Sequence, residues 1–130
     1  MSVLVATHNR ADVLEKTLRA FAKVDTRGLS VEWVIIDNNS KDATRTIIDE
    51  FKRKFPLLYL FEPKPGKNCA LNAALREMKL GEIVVFADDD ITPDRDWLQQ
   101  VALSCALHPD YAVFGGRIFP EWPSGREPWW

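Results

Sequence analysis

A mostly parallel α/β sheet with helices on both faces is the fold class this sequence predicts, and three observations carry it. Short apolar runs of strand length alternate along the chain with longer segments of helical periodicity. The polar clusters fall where an apolar run ends and a helical segment begins. The chain has 130 residues, 46% hydrophobic and 28% charged, which supports one domain with a real core and excludes a disordered polypeptide. Such alternation builds right-handed βαβ units, and those in turn build a parallel sheet.

Val3-Leu4-Val5-Ala6 is the first predicted strand, followed by the loop Thr7-His8-Asn9-Arg10. Ala11 to Lys23 then places Leu14, Leu18 and Phe21 on one helical face. The second strand, Val31 to Ile36, ends at Asp37, and Asn38-Asn39-Ser40 supply capping residues for a helix carrying Ile47, Ile48, Phe51 and Phe55. Leu57 to Phe61 is the third strand, and Glu62-Pro63-Lys64-Pro65-Gly66 breaks the chain before a helix from Lys67 to Lys79 with Leu71, Leu75 and Met78 in register. A buried fourth strand, Ile83 to Ala87, runs into Asp88-Asp89-Asp90. Thr92 and Pro93 read as the N-cap and first residue of the next helix, with Asp94 and Asp96 favouring its dipole and Trp97, Val101 and Cys105 inward. Tyr111 to Phe114 reads as a fifth strand, and after Gly116 the chain shifts to Pro, Trp and Arg without periodicity.

Composition narrows the function classes. A formal charge of −2 with scattered basic residues gives no electrostatic case for nucleic acid or an anionic membrane, so phosphate binding must be local. The apolar runs are too short to span a bilayer, and the first strand opens almost at Met1, which leaves no room for a leader; a cytoplasmic setting is the expectation. Cys69 and Cys105 sit in helical patterns without CxxC spacing and read as reduced core thiols.

In a parallel sheet the ligand crevice lies outside the carboxyl ends of the strands. All four strand-to-helix loops should therefore converge on one site. The acidic run is the sharpest signal there. Two unit charges about 4 Å apart repel by roughly 4 kcal/mol at an effective dielectric near 20, so a rigid carboxylate cluster calls for a compensating cation. Hard oxygen ligands favour Mg²⁺, Mn²⁺ or Ca²⁺, and a site of one or two carboxylates is completed by water and phosphate oxygens. The alternative is a solvated acidic loop. If the segment is extended, Asp88 and Asp90 share one side and Asp89 points elsewhere. Asp37 reads either as a helix cap or as an acceptor for a base N–H of uracil or guanine. Lys67 is either a solvated lysine after a turn or, with its helix N-terminus, a diphosphate ligand. Asn68 and Asn72 are polar ligands or surface residues, Arg10 pairs with a phosphate or with an acidic neighbour, and His8 packs or catalyses.

Four ordered segments carry a resemblance: Val3 to Arg10, Glu32 to Thr44, Gly66 to Asn72, and Asp88-Asp89-Asp90. Together they resemble family 2 glycosyltransferases of the GT-A fold, a Rossmann-like α/β architecture. The resemblance implies nucleotide-sugar binding, with Thr7 and Arg10 near the nucleotide, Asp37 on the base, Lys67 toward the phosphates, Asp88 near the ribose or donor sugar, and Asp90 on the metal. The site nominated for nucleotide and donor is Thr7, Asn9, Arg10, Asp37, Asn39, Lys67, Asn72, Asp88 and Asp89, with Asp90 and Asp88 for a divalent metal, Mn²⁺ or Mg²⁺. The donor expected is a UDP- or GDP-sugar and the transfer inverting; the acceptor is a glycan, lipid or protein that these residues do not specify. Ala6 and His8 depart from the proline and tyrosine usual in the family, which bears on base stacking rather than on the phosphate site.

The resemblance also divides the chain. Residues 1–119 read as the donor-binding part, and 120–130 as an irregular tail toward an acceptor-binding half, which leaves the GT-A domain truncated on its C-terminal side. The general base is expected downstream of residue 130, since Glu121 and Glu127 lie in the loose tail, and Trp129 and Trp130 read as a severed core segment or a sugar platform. Uncovered apolar surface then predicts self-association, and the setting extends to the cytoplasmic face of a membrane. Three rivals remain at this level. A response-regulator receiver wants acidic residues after its first strand, where this chain has His8-Asn9-Arg10, and a nucleotidyltransferase wants a glycine-rich loop there. A non-catalytic nucleotide-sugar-binding module shares every residue named.

Overall fold

The computed structural model describes residues 1–121. Eight elements alternate: β1 (Ser2–Thr7), α1 (Ala11–Phe21), β2 (Glu32–Asp37), α2 (Thr44–Phe51), β3 (Leu57–Phe61), α3 (Lys67–Glu77), β4 (Val84–Ala87) and α4 (Trp97–Leu107). The four strands form one sheet in the order β3-β2-β1-β4, all parallel.

Alternation along the strands builds two cores. Val3, Val5, Trp33 and Ile35 face α1, α2 and the start of α4, where they meet Leu14, Leu18, Phe21, Ile48, Phe51 and Leu98. Phe21 stacks on Trp33 with centroids 4.4 Å apart, and Trp97 lies 6.2 Å beyond. Leu4, Val34 and Ile36 face the other way and meet Ala70 and Ala74 of α3. Three alanines on the buried side of α3, Ala70, Ala73 and Ala74, let that helix lie close to the sheet. The predicted α/β class with helices on both faces is the observed one.

The sheet differs from expectation at its outer flank. Tyr111 to Phe114 forms no strand; the segment is irregular and exposed, so among the described residues β4 is an edge. Lacking a partner there, β4 is only half-buried and Phe86, on the α3 side, is 57% exposed. The helix after it begins at Trp97, not at Pro93. The reason is tertiary: the Arg95 carbonyl accepts from the Asp25 N–H at 2.7 Å, a bond that a helix starting earlier would give to Gln99. Leu98 is its one buried residue, while Val101 and Cys105 are half-buried. Both cysteines are free thiols.

The capping assignment for α2 also changes. Asn38, Asn39 and Ser40 lie well ahead of Thr44, and Asp42 holds the turn instead, its Oδ1 accepting from the Thr44 N–H at 3.0 Å and hydroxyl at 2.6 Å. Its Oδ2 accepts from the Ala11 N–H at 2.9 Å, so one carboxylate secures the starts of α1 and α2. Of the predicted tail, Pro120 and Glu121 are exposed and irregular, and the readings placed on Glu127, Trp129 and Trp130 lie outside the described residues. Among the described residues no helix is long and apolar enough to cross a membrane.

Candidate functional site

From β1 the chain builds β2 and β3 on one flank, then returns to place β4 on the other. That reversal makes the carboxyl ends of β1 and β4 a topological switch point, where the following loops diverge and leave a crevice. Register sets what stands there. Thr7 pairs with Asp37, and Asp37 with Phe61, while Ala87 pairs with Val5, so Asp89 comes level with Thr7.

Asp89 is the buried member of the acidic run, 5% exposed. Its Oδ2 accepts from the Thr7 hydroxyl at 2.7 Å and its Oδ1 from Arg10 Nη1 at 2.6 Å, while its carbonyl accepts from the buried Thr17 hydroxyl at 2.8 Å. Asp88 and Asp90 turn outward, their side chains 54% and 49% exposed. The segment is a turn rather than extended, yet it produces the same division of one carboxylate inward and two outward. Arg10 Nη2 donates to Asp90 at 3.0 Å, so one guanidinium bridges the inner and outer carboxylates. The Asp90 hydrogen bond holds the Arg10 pKa above its ordinary value; partial burial opposes this, and the charges of Asp89, Asp90 and Asp88 reinforce it. Lys67, at the start of α3, pairs with Asp88 across the crevice.

Asp37 lies on the floor, 3% exposed, accepting from the Ser40 N–H at 2.8 Å and the Tyr59 hydroxyl at 3.2 Å. Burial pushes the Tyr59 phenol pKa up, and the Asp37 charge adds to this, against the opposing pull of Arg45, whose guanidinium sits 4.0 Å over the ring. Asn9 and Asn39 adopt left-handed backbone, φ 52° and 63°, a region asparagine tolerates better than most residues. Asn9 ties two loops together: its N–H donates to Ser40 Oγ at 3.0 Å and its Oδ1 accepts from the Lys41 N–H at 2.6 Å. Asn39 accepts from Lys41 Nζ at 2.8 Å. His8 Nδ1 lies 2.6 Å from the Asn38 carbonyl and Nε2 lies 2.9 Å from Asn9 Nδ2, so the tautomer with its proton on Nδ1 serves both bonds. Asn72 and Asn68 are exposed on α3.

Thr7, Arg10, Asp88, Asp89, Asp90 and Lys67 are thus one connected group, and Asp37, Asn39 and Asn9 form a second beside it. Participants that the sequence does not nominate for the site include Thr17, Asp42 and Asn38, the last read there as a helix-capping residue. Thr17 carried a usable signal, a hydroxyl on an otherwise apolar helix face between Leu14 and Leu18, where a buried polar group requires a partner. The fit for a metal is partial. Asp88 and Asp90 offer hard oxygen donors at the crevice mouth, but no set of three or more His, Cys, Asp or Glu among the described residues forms a cage. Such donors suit Mg²⁺ or Mn²⁺ held by one or two carboxylates and completed by a phosphate ligand and water. A hollow of about 840 Å³ between the end of α1 and Thr92, Pro93 and Arg95 is lined by none of these groups.

Across residues 2–129 the chain matches the family described as glycosyl transferase family 2. The chain belongs to that family. Among curated relatives, the family 2 chain is 31% identical over 100 residues to the probable glycosyltransferase YdaM of Bacillus subtilis, covering 73% of this chain and 24% of that protein. It is also 31% identical over 128 residues to the GalNAc(5)-diNAcBac-PP-undecaprenol beta-1,3-glucosyltransferase of Campylobacter jejuni, covering 93% and 39%. It therefore spans less than half the length of either relative. Among solved structures, S. aureus TarS 1-349 in complex with UDP-GlcNAc superposes with a TM-score of 0.72 at 29% identity, covering 83% of this chain and 31% of that one. The mannosyltransferase PcManGT of Pyrobaculum calidifontis, in complex with GDP-Man and Mn²⁺, gives 0.71 at 33% identity, covering 81% and 32%. The fold is that of GT-A glycosyltransferases.

Proposed function

We propose that this chain is the donor-binding part of a glycosyltransferase, holding a UDP- or GDP-sugar with a divalent cation for inverting transfer to an acceptor. The observation that carries the reading is the convergence at the β1/β4 switch point of two exposed carboxylates, Asp88 and Asp90, with two cations, Arg10 and Lys67. UDP-GlcNAc in TarS and GDP-Man with Mn²⁺ in PcManGT support the ligand class.

Cleaving the bond between an anomeric carbon and a diphosphate builds negative charge on the leaving group. A bound divalent cation supplies charge neutralisation there, and Asp90 with Asp88 are the residues proposed to hold it. Lys67 is the side chain proposed to meet the diphosphate. Its present pair with Asp88 is more than half exposed, and such pairs are worth about 0–1 kcal/mol, so little is lost when Lys67 turns to a phosphate. Asp37 is assigned to the base, with Thr7, Asn9, Arg10 and Asn39 framing the nucleotide and Asn72 and Asp89 completing the donor side. Residues 1–119 form this unit, and attack by the acceptor hydroxyl requires a general base supplied from sequence outside it. The proposed setting is the cytoplasm, extending to the cytoplasmic face of a membrane.

Calorimetric titration of UDP, GDP and ADP, with and without Mn²⁺, tests the reading. UDP or GDP is expected to bind in a metal-dependent way that Asp90→Ala abolishes. Equal binding of all three diphosphates, or binding indifferent to Mn²⁺ and to Asp90→Ala, refutes it.

A further inference from the structure

Asn38 is buried, 5% exposed, and every polar group it owns is engaged. Its N–H donates to the Thr7 carbonyl at 2.8 Å, and its own carbonyl is the partner of His8 Nδ1. Its side-chain amide reaches the other way: Nδ2 donates to the carbonyls of Glu62 at 3.0 Å and Lys64 at 2.7 Å, and Oδ1 accepts from the Gly66 N–H at 2.7 Å. One side chain thus grips three points of the five-residue loop that ends where α3 begins. Gly66, the residue just before Lys67, sits at φ 120°, a conformation side-chain-bearing residues rarely adopt, at the point where the clamp holds the loop.

We infer that Asn38 is a positioning residue for diphosphate binding, fixing the Gly66 turn and with it Lys67 and the first turn of α3 against the acidic run. The inference rests on the donor-site reading above. The three side-chain bonds have only backbone partners, so the clamp sets geometry without touching a ligand itself. A cation held in place before the ligand arrives costs less ordering on binding, and an ångström of misplacement weakens its contact sharply. Ser40 and Asn9 secure the neighbouring loops to each other but bond to no part of residues 62–66; the Asp37 carbonyl accepts from the Glu62 N–H at 3.0 Å, and Asn38 is what ties the Lys64 and Gly66 end of the loop to the end of β2.

The test compares UDP with uridine, and GDP with guanosine, by calorimetry in Mn²⁺ on the parent chain and on Asn38→Ala. Affinity for the diphosphate is expected to fall roughly tenfold or more while nucleoside affinity is unchanged. A merely structural role would weaken both alike, and that result, or unchanged diphosphate affinity, overturns the proposal. Asn38→Asp provides the same comparison should Asn38→Ala not fold, because it is isosteric and keeps an acceptor for Gly66 but sets a carboxylate against the Glu62 and Lys64 carbonyls. Hydrogen exchange on the parent checks the clamp without any ligand: slow exchange of the Gly66 amide is expected, and fast exchange overturns the clamp. A parent chain that binds neither diphosphate defeats the donor-site reading and this inference with it, whereas a binding parent with an equally competent Asn38→Ala defeats this inference alone.

Discussion

Adjacent carboxylates in the acidic run have different jobs, and the difference shows in what each removal should do. Asp89 satisfies the Thr7 hydroxyl and one arm of Arg10 while nearly buried, so Asp89→Ala strands both. Arg10 is 44% exposed and regains water, which limits the loss to about 1–3 kcal/mol. Asp90→Ala removes only a half-exposed ion pair and should alter stability by no more than about 1 kcal/mol. Thermal unfolding of the two variants is expected to show a clear drop in midpoint for Asp89→Ala and almost none for Asp90→Ala. Equal drops would mean that the inner and outer assignments are mistaken. An extended reading of the run sets one of the three apart from its neighbours, but the bonds made by Asp89 come from Thr7, Arg10 and Thr17, which lie 82, 79 and 72 residues away in the chain.

Helix and loop starts hold the next lesson. Asp42 links the first turns of α1 and α2 through acceptor bonds from Ala11 and Thr44. Desolvation pushes its pKa up, but the bonds from Thr44 and Ala11 prevail and hold it below the ordinary carboxylate value. A group depressed in the folded state contributes stability that is present above its unfolded pKa of about 3.9 and lost as pH falls through the lower folded value. Asp42→Asn is therefore expected to cost up to about 1 kcal/mol at neutral pH and to flatten the acid limb of the stability profile below about pH 4. Urea unfolding across that range measures it, and an acid limb as steep as the parent's would remove Asp42 from the account. From sequence, Asn38-Asn39-Ser40 looked like the cap because these residues favour caps in general. Propensity is local, and the tertiary bonds that recruited Asn38 and Ser40 to neighbouring loops were not visible to it.

For the molecule as a whole, exposed apolar side chains are frequent from β4 onward: Phe86 on β4, Leu103 and Leu107 on α4, and Tyr111, Val113, Ile118 and Phe119 after it. Exposed large apolar side chains in this number favour association. The 130-residue chain is expected to self-associate in a concentration-dependent way, measurable by light scattering, with Phe86→Ser and Leu107→Ser reducing the apparent mass. A monodisperse monomer across the accessible concentration range would count against it. Tyr111 to Phe114, read from sequence as a fifth strand, is irregular and exposed, since β propensity without burial does not make a strand.

By itself the sequence determined the order and type of the eight elements, the two-faced parallel sheet and the gathering of polar loops at one edge of it. Those follow from apolar runs of strand length alternating with helical periodicity, and the two-residue period of a strand sends successive side chains to opposite layers. Only the tertiary structure decided which carboxylate is buried, where α2 and α4 begin, and that Asn38 grips the loop before α3. Each depends on one hydrogen-bond partner chosen over another from a distant part of the chain, and buried polar groups must take whatever partner the fold brings within reach.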